Sequence, residues 1–259
     1  MKKLFLLCLV TLLTACAAVP RPNNAITKPI NSQISPPPYE AWNRVLQKFV
    51  DEQGRVNFAK LVQDRTDLDQ FVSYVYDVGP NNQPQLFPSN KHVLAYHINA
   101  YNALAMHKVL AVGIPQSLSG FNKVSFFALG KVQVGNEPIS LYDYENKIIR
   151  PLGEARAHMA LNCMSISCPR LPRTAFLPDQ LEQQLQQEVE YFVSEARNVK
   201  VDGDTQKLWL SEIFKFYTAD FLQTAPSLAS WINRFRKTPV PDTYALEFTP
   251  YDWGINKQP

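Results

Sequence analysis

The spacing of hydrophobic positions divides most of the chain into helices. Apolar side chains recur every three or four residues along several stretches, which is the spacing of one helical face. The predicted helices cover residues 39–50, 67–78, 89–112, 141–150, 178–196, 211–216 and 227–235. This pattern predicts a mostly helical protein.

Turn residues between short apolar runs predict the strands. Gly135-Asn136 separates residues 131–134 from 138–140, and Asp202-Gly203-Asp204 separates 199–201 from 207–210. Both arrangements are typical of β-hairpins. Further strands are predicted at 156–161 and 244–248. Because no linker interrupts the chain, we predict one globular α+β domain over residues 39–256, with a small antiparallel sheet and a tail at 257–259.

The first 15 residues are typical of a secretion signal. Lys2 and Lys3 precede an apolar run at residues 4–13, which is too short for a membrane-spanning helix and fits a signal peptide. The sequence Leu13-Thr14-Ala15-Cys16 then resembles the lipobox of bacterial lipoproteins. The resemblance implies lipid on Cys16 and, with no Asp at the second mature position, attachment to the outer membrane facing the periplasm. The alternative is an ordinary secretory signal in which Cys16 is incidental.

Residues 16–38 carry the lipidated cysteine and join it to the domain. The segment is rich in proline and asparagine and has no apolar period. Such a composition predicts a disordered, partly extended tether that does not pack on the domain.

Composition excludes several classes of protein. Of the 259 residues, 46% are hydrophobic and 19% charged, which is the balance of a globular protein and not of a disordered one. The net charge of +3 includes two signal-peptide lysines. Without a clustered basic face, no nucleic-acid partner is predicted. The chain has no glycine-rich phosphate loop, GxSxG or HExxH motif, and no cofactor is predicted.

Two cysteines remain for the domain. Cys8 leaves with the signal peptide and Cys16 carries lipid, which leaves Cys163 and Cys168 in an oxidising compartment. A Cys163–Cys168 disulfide is the favoured prediction. The alternatives are a free nucleophilic thiol and a zinc site. With one nearby histidine the pair supplies at most three ligands, so we predict no metal site.

Polar residues inside apolar segments mark a candidate site. Asn99 and Asn102 share one face of the helix predicted at 89–112, and an unpaired buried amide costs about 1–3 kcal/mol. We therefore expect both to bond to a crossing segment, although Asn99 is also a candidate for binding an oxyanion or carbonyl. His158 is the lone imidazole of the strand predicted at 156–161. Its alternative role is that of a core histidine.

His158 lies close in sequence to Cys163, and a Cys–His pair supports nucleophilic catalysis. A regular strand, however, would place these two side chains on opposite faces. The candidate catalytic residues are thus His158, Cys163 and Asn99.

Four blocks of sequence together resemble the domain-of-unknown-function family 547. They are HVLAYHINAYNAL, LYDYENKIIR, ARAHMALNCMSISCPRLP and FTPYDWGIN. His97 stands where the family pattern has an aromatic residue, usually Trp. The resemblance covers about residues 39–256 and implies a fold but no activity.

A second resemblance is to the core of papain-like and transglutaminase-like enzymes. There a helix bears the nucleophilic cysteine and a later strand bears histidine; here Asn99 takes the place of that cysteine. The resemblance implies a non-catalytic relative or a different nucleophile, such as Cys163 or Cys168.

Two functions follow from these observations. The first is a lipid-anchored binding or scaffolding domain for an envelope protein or peptide ligand. The second is a thiol-dependent hydrolase or acyltransferase that acts on peptides or peptidoglycan fragments. The sequence does not predict an oligomeric state.

Overall fold

A computed structural model describes residues 19–22 and 35–259 of the chain. The predicted signal peptide, Cys16 and most of the tether lie outside these residues. The α-helices are α1 (Tyr39–Phe49), α2 (Phe58–Gln63), α3 (Thr66–Asp77), α4 (Asn90–Ala111), α5 (Gly120–Val124), α6 (Leu141–Asp143), α7 (Leu181–Ser194), α8 (Glu212–Phe216), α9 (Thr218–Phe221) and α10 (Leu228–Asn233). No helix in the described ranges is long and apolar enough to cross a membrane.

Tighter and wider helical turns complete the helical part of the fold. π-Helical turns follow α5 and α6 directly, at Ser125–Leu129 and Tyr144–Ile149. The 3₁₀ turns are Pro84–Leu86, Arg150–Leu152 and Ala155–Met159. The helix predicted at 141–150 is therefore continuous but mainly π-helical, a form often found at functional sites.

The strands form two small sheets. β1 (Lys131–Val134) and β2 (Glu137–Ser140) make the first predicted hairpin, whose turn residues Gly135 and Asn136 both have positive φ. β3 (Val199–Asp202) and β4 (Lys207–Ser211) make the second. β5 (Ala245–Thr249) pairs with β4 in parallel. The predicted α+β class is confirmed, and the larger of its two sheets is mixed.

Helix α4 runs through the centre of the molecule. Residues 94–109 are all buried, as its apolar composition predicts, and α3 packs between α4 and α1. One hydrophobic core surrounds these helices, and a second surrounds α7, β4 and α10. We call them the first and second core clusters.

The prediction of a strand at 156–161 is wrong. The Glu154 side chain accepts a hydrogen bond from the Arg156 N–H at 3.0 Å, and Ala160 N–H bonds to Ala157 O at 2.9 Å, so the segment coils into a 3₁₀ turn. A short apolar run fits a buried strand or a buried turn equally well. The strand required by the papain-like resemblance is therefore absent at His158.

Part of the predicted tether contacts the domain. Val19 N–H donates to Lys131 O at 2.9 Å, and the His107 ring lies 3.1 Å from Pro20 O. Arg65 donates to the other nitrogen of the same ring, so Nε2 of His107 is the atom that donates to Pro20. The expectation that the whole segment stays clear of the domain is wrong for residues 19–22.

Candidate active site

A cavity of about 320 Å³ opens where the two core clusters meet. Its walls include Tyr101 of α4, Glu145 of the second π-turn, His158, Cys163, Tyr217 and Tyr251. The predicted candidates His158, Cys163 and Cys168 all line it. The residues of the cavity wall as a whole come from both core clusters and from the chain after β5.

The loop that carries the cysteines is shaped by two asparagines. Asn102 of α4 donates to Ala160 O at 2.9 Å and accepts from the Asn162 N–H at 2.7 Å. Asn162 in turn accepts from Met164 N–H at 2.7 Å and donates to Pro169 O at 2.7 Å. Met164 has a φ of 70°, a conformation that costs energy for a residue with a side chain. These bonds hold the loop in the bent form that brings its two ends together.

The two thiols lie side by side at the cavity wall. Their Sγ atoms are 2.8 Å apart, and both cysteines are free thiols in this structure. The Sγ of Cys163 is 3.2 Å from Ser165 Oγ, and the Tyr251 hydroxyl is 3.6 Å from Cys163 and 3.1 Å from Cys168. The disulfide is not formed here and stays a prediction.

The two thiols differ in pKa because their surroundings differ. Hydrogen bonds with Cys168, Ser165 and Tyr251 favour the thiolate of Cys163 and lower its pKa to about 7. Burial raises the pKa of Cys168 well above its usual value. Cys163 is half-buried and Cys168 is almost fully buried. The more accessible thiol is therefore also the more acidic one.

A segment after β5 closes the loop from outside. Ile166 N–H donates to Gly254 O at 2.8 Å, Asn256 N–H donates to Met164 O at 2.9 Å, and Asp252 N–H donates to Ser167 Oγ at 2.9 Å. These bonds place the Tyr251 side chain over the sulfur atoms. The segment after β5 is therefore docked on the cysteine loop.

His158 belongs to a different part of the same cavity. Its Nε2 lies 2.8 Å from Asp220, and its ring stacks on Tyr217 with the centroids 3.9 Å apart. Asp220 also accepts two bonds from Arg150, at 2.7 and 2.9 Å. His158 and Arg150 hold the pKa of Asp220 well below its ordinary value. Among the described residues, no hydrogen bond joins His158 to Cys163, so the two share a cavity without forming a pair.

Glu145 supplies a buried carboxylate to the cavity. It accepts a hydrogen bond from the Tyr101 hydroxyl at 3.1 Å. Burial and the charge of Glu145 raise the pKa of both Tyr101 and Tyr217, which therefore stay protonated. An ion pair between Glu145 and Arg150 is a natural expectation from their spacing, but Arg150 binds Asp220 instead.

Asn99 lies away from the cavity. Its amide donates to Phe176 O at 2.7 Å and accepts from Phe176 N–H at 3.0 Å, and the side chain is fully buried. The expectation that Asn99 and Asn102 bond to crossing segments is confirmed. In this arrangement Asn99 fastens α4 to the segment before α7.

The sequence did not identify two residues that line the cavity, or the Asp220 carboxylate that binds His158, as site residues. Glu145 and Tyr251 fall within the quoted blocks LYDYENKIIR and FTPYDWGIN, so a signal for them was present. Asp220 had none, because it is an ordinary acidic residue 62 positions from His158. Within the described residues, no group of three or more His, Cys, Asp or Glu side chains is arranged to hold a metal ion.

Comparison with known proteins supports part of the resemblance. Residues 86–193 match the model of the family described as "Protein of unknown function, DUF547". No curated protein and no solved structure matches the chain. The matched segment contains His158, Cys163 and Cys168, whereas Asp220 and Tyr251 lie beyond it.

Proposed function

We propose that this chain is a lipoprotein of the bacterial envelope, attached to the outer membrane through lipid on Cys16 with its domain facing the periplasm. The support is the sequence Leu13-Thr14-Ala15-Cys16 directly after a short apolar run. One acyl chain holds a protein only marginally at a bilayer, and several acyl chains on one residue give stable attachment.

Substitution of the lipid-bearing cysteine tests the anchor. Cys16→Ser is expected to abolish incorporation of labelled palmitate and to release the protein from the membrane fraction. Cys8→Ser is the matched control and should leave labelling intact, since Cys8 belongs to the cleaved segment. A Cys16→Ser protein that still takes up palmitate would contradict the proposal.

The domain binds a peptide ligand in the cavity and attacks it with the thiolate of Cys163. One observation carries this function: a half-buried thiol with its pKa lowered to about 7 at the wall of a cavity of about 320 Å³. The thiolate is the nucleophilic form of cysteine, and a lowered pKa increases the fraction of this form at neutral pH. A cavity of this kind also favours ligand binding over a purely scaffolding role.

The thiolate arises from hydrogen bonding and not from a histidine base. In Cys–His enzymes one imidazole nitrogen takes the thiol proton. Among the described residues, His158 binds Asp220 through Nε2 and its Nδ1 has no hydrogen-bond partner, so neither nitrogen is bonded to Cys163. Ser165, Cys168 and Tyr251 surround the sulfur instead. Thiolates attack two common electrophiles, a carbonyl carbon and a disulfide sulfur. Attack on carbon would make the protein a hydrolase or acyltransferase.

Binding without chemistry is the second candidate function. Tyr142 and Phe216 line the cavity and are 57% and 43% exposed, so its mouth offers aromatic surface to a partner. Aromatic side chains of this kind are enriched where proteins bind one another.

The pH dependence of alkylation separates the two candidates. The full chain in detergent is treated with iodoacetamide, and the fragment 157–170 is analysed by mass spectrometry. Cys163 is expected to react with a midpoint near pH 7, and Cys168→Ser shows whether the signal comes from Cys163. A midpoint near that of an ordinary thiol, about 8.5, would contradict the nucleophilic role of Cys163 and favour the binding function.

A further inference from the structure

We infer that the cavity performs thiol–disulfide exchange on a disulfide of a peptide or protein, with Cys163 as the attacking thiol and Cys168 as the resolving thiol. The inference rests on the proposed role of Cys163 as nucleophile and adds the identity of the electrophile, which is sulfur. The juxtaposition of the two thiols within one short loop carries it.

The loop holds the two sulfur atoms close to the distance at which they bond. Their Sγ atoms are 2.8 Å apart, compared with about 2 Å in a disulfide. Cys163 N–H donates to the Sγ of Cys168 at 3.0 Å, and Cys168 N–H donates to Ser165 O at 3.1 Å. Asn162 fixes the start of the loop through Met164 and Pro169. Both the dithiol and the disulfide are therefore compatible with the same fold.

Exposure assigns different roles to the two thiols. Cys163 is half-buried, whereas Cys168 is 3% exposed. A disulfide that enters the cavity therefore meets Cys163 first. Burial keeps Cys168 protonated until a second sulfur atom approaches, as in enzymes with one attacking and one resolving cysteine.

The Tyr251 hydroxyl contacts both sulfur atoms, which makes Tyr251 a positioning residue. Its hydroxyl lies 3.1 Å from Cys168 and 3.6 Å from Cys163, so one donor can stabilise negative charge on either sulfur. During exchange the charge moves from one sulfur to the next. An acyl-transfer site needs no such donor at a second thiol, which favours sulfur as the electrophile.

The reaction proceeds in two balanced steps. The Cys163 thiolate attacks one sulfur of the bound disulfide, a mixed disulfide forms, and the other half of the substrate leaves as a thiolate. Cys168 then loses its proton to solvent and attacks the Sγ of Cys163, and the second half leaves as a thiolate. The substrate disulfide gains two electrons and the dithiol loses two. A dithiol or glutathione-type thiol must reduce the new disulfide for another cycle.

The mouth of the cavity indicates the kind of substrate. Tyr142 and Phe216 are largely exposed beside it, and the Lys123 ammonium lies 3.8 Å from the ring centre of Trp253. All four residues line the cavity. This aromatic and cationic rim offers side-chain contacts to the residues on either side of a disulfide in a peptide.

A trapping experiment tests the assignment of the two thiols. The full chain in detergent reacts with dithiobis-nitrobenzoate, and the fragment 157–170 is weighed. The wild type is expected to end as an internal disulfide with no reagent attached. Cys168→Ser should retain one thionitrobenzoate on Cys163, and Cys163→Ser should react about tenfold more slowly because Cys168 is buried.

Turnover then tests the substrate. Reduction of a disulfide-bonded peptide by glutathione should proceed at least about tenfold faster with wild type than with Cys168→Ser, because in the variant the mixed disulfide must wait for attack by glutathione from solution. Acceleration with glutathione disulfide alone would overturn the peptide assignment.

The remaining outcomes distinguish this inference from the proposed function. If the wild type keeps the reagent on Cys163, then Cys168 does not displace it. This outcome refutes exchange and is still consistent with Cys163 as a nucleophile. Failure of Cys163 to react in reduced wild type and Cys168→Ser refutes both. A disulfide that glutathione fails to reduce in the isolated protein refutes exchange in favour of a structural bond.

Discussion

At the scale of single residues, neighbouring groups and burial shift the pKa values of Cys163 and His97. The acidity of Cys163 depends on donors supplied by its neighbours, including Tyr251, and not on a nearby cation. His97 shows the opposite effect. It packs edge-on against Tyr96 and Tyr144, and burial lowers its pKa to about 3. A neutral imidazole there fills the space of an aromatic ring.

Removal of the Tyr251 hydroxyl is expected to raise the pKa of Cys163. Tyr251→Phe deletes one of the donors that favour the thiolate, so the alkylation midpoint moves up from about 7. The measurement is the iodoacetamide rate against pH. Tyr244→Phe is the control, since that side chain packs on the second core cluster and does not line the cavity. Equal midpoints in both variants would show that the hydroxyl does not act on the thiol.

His97 is expected to make the fold sensitive to acid. Between pH 6.5 and about 3 the unfolded chain binds a proton that the folded chain excludes, so the free energy of unfolding falls as pH decreases through that window. The slope approaches about 1.4 kcal/mol per pH unit. His97→Phe should flatten it, although Tyr144 loses its partner. Urea unfolding at several pH values measures this, with the more exposed His92→Phe as a control that keeps the slope.

At the scale of elements, α4 connects the fold to the site through two amides. Asn99 binds the segment before α7, and Asn102 binds the segment that leads into the cysteine loop. The two residues are three positions apart and equally buried, yet they hold different partners.

These different partners predict different consequences. Asn99→Leu leaves both backbone groups of Phe176 unpaired and should lower the free energy of unfolding by about 1–3 kcal/mol, with alkylation of Cys163 unchanged. Asn102→Leu should lose similar stability and also alter alkylation, because it releases Asn162. Melting temperature and labelling rate are measured together. A change in labelling with Asn99→Leu would contradict the separation.

The elements also show how far the sequence predicts the molecule. Long helices were predictable for two different reasons. One buried face repeats along α1, whereas α4 is a long run of small and apolar residues that is buried nearly all round. The run at 156–161 is too short to show a period. The hydrogen bond from the Arg156 N–H to the Glu154 side chain favours a 3₁₀ turn there. Cys163 and His158 were identifiable because thiols and imidazoles are rare. Asp220 was not, because only tertiary packing brings it to His158.

At the scale of the whole molecule, the cavity lies between two cores that ionic bonds connect. Asp220 of α9 receives bonds from His158 and Arg150, which lie on the segment between the second π-turn and the cysteine loop. The exposed fractions of the Asp220 and Arg150 side chains are 16% and 27%, so solvent screens this connection only in part.

Loss of this connection should weaken the whole fold. Asp220→Asn is expected to lower the free energy of unfolding by about 2 kcal/mol, the size of a charged hydrogen bond. Because the pKa of Asp220 is depressed, its contribution is present above the ordinary Asp range and is lost as pH falls below it. Denaturant unfolding measures both effects. The exposed Asp204→Asn is the control, and equal losses in the two variants would contradict the connection.

The hydrogen bonds between the cysteine loop and the segment after β5 affect the order in which the site forms during synthesis. Tyr251 lies 88 positions after Cys163, so a chain emerging from a ribosome exposes the cysteines long before the hydroxyl that contacts them. Until then Cys163 lacks one of the donors that favour its thiolate. The full acidity of Cys163 is thus expected only after the last segment of the chain has docked on the cysteine loop.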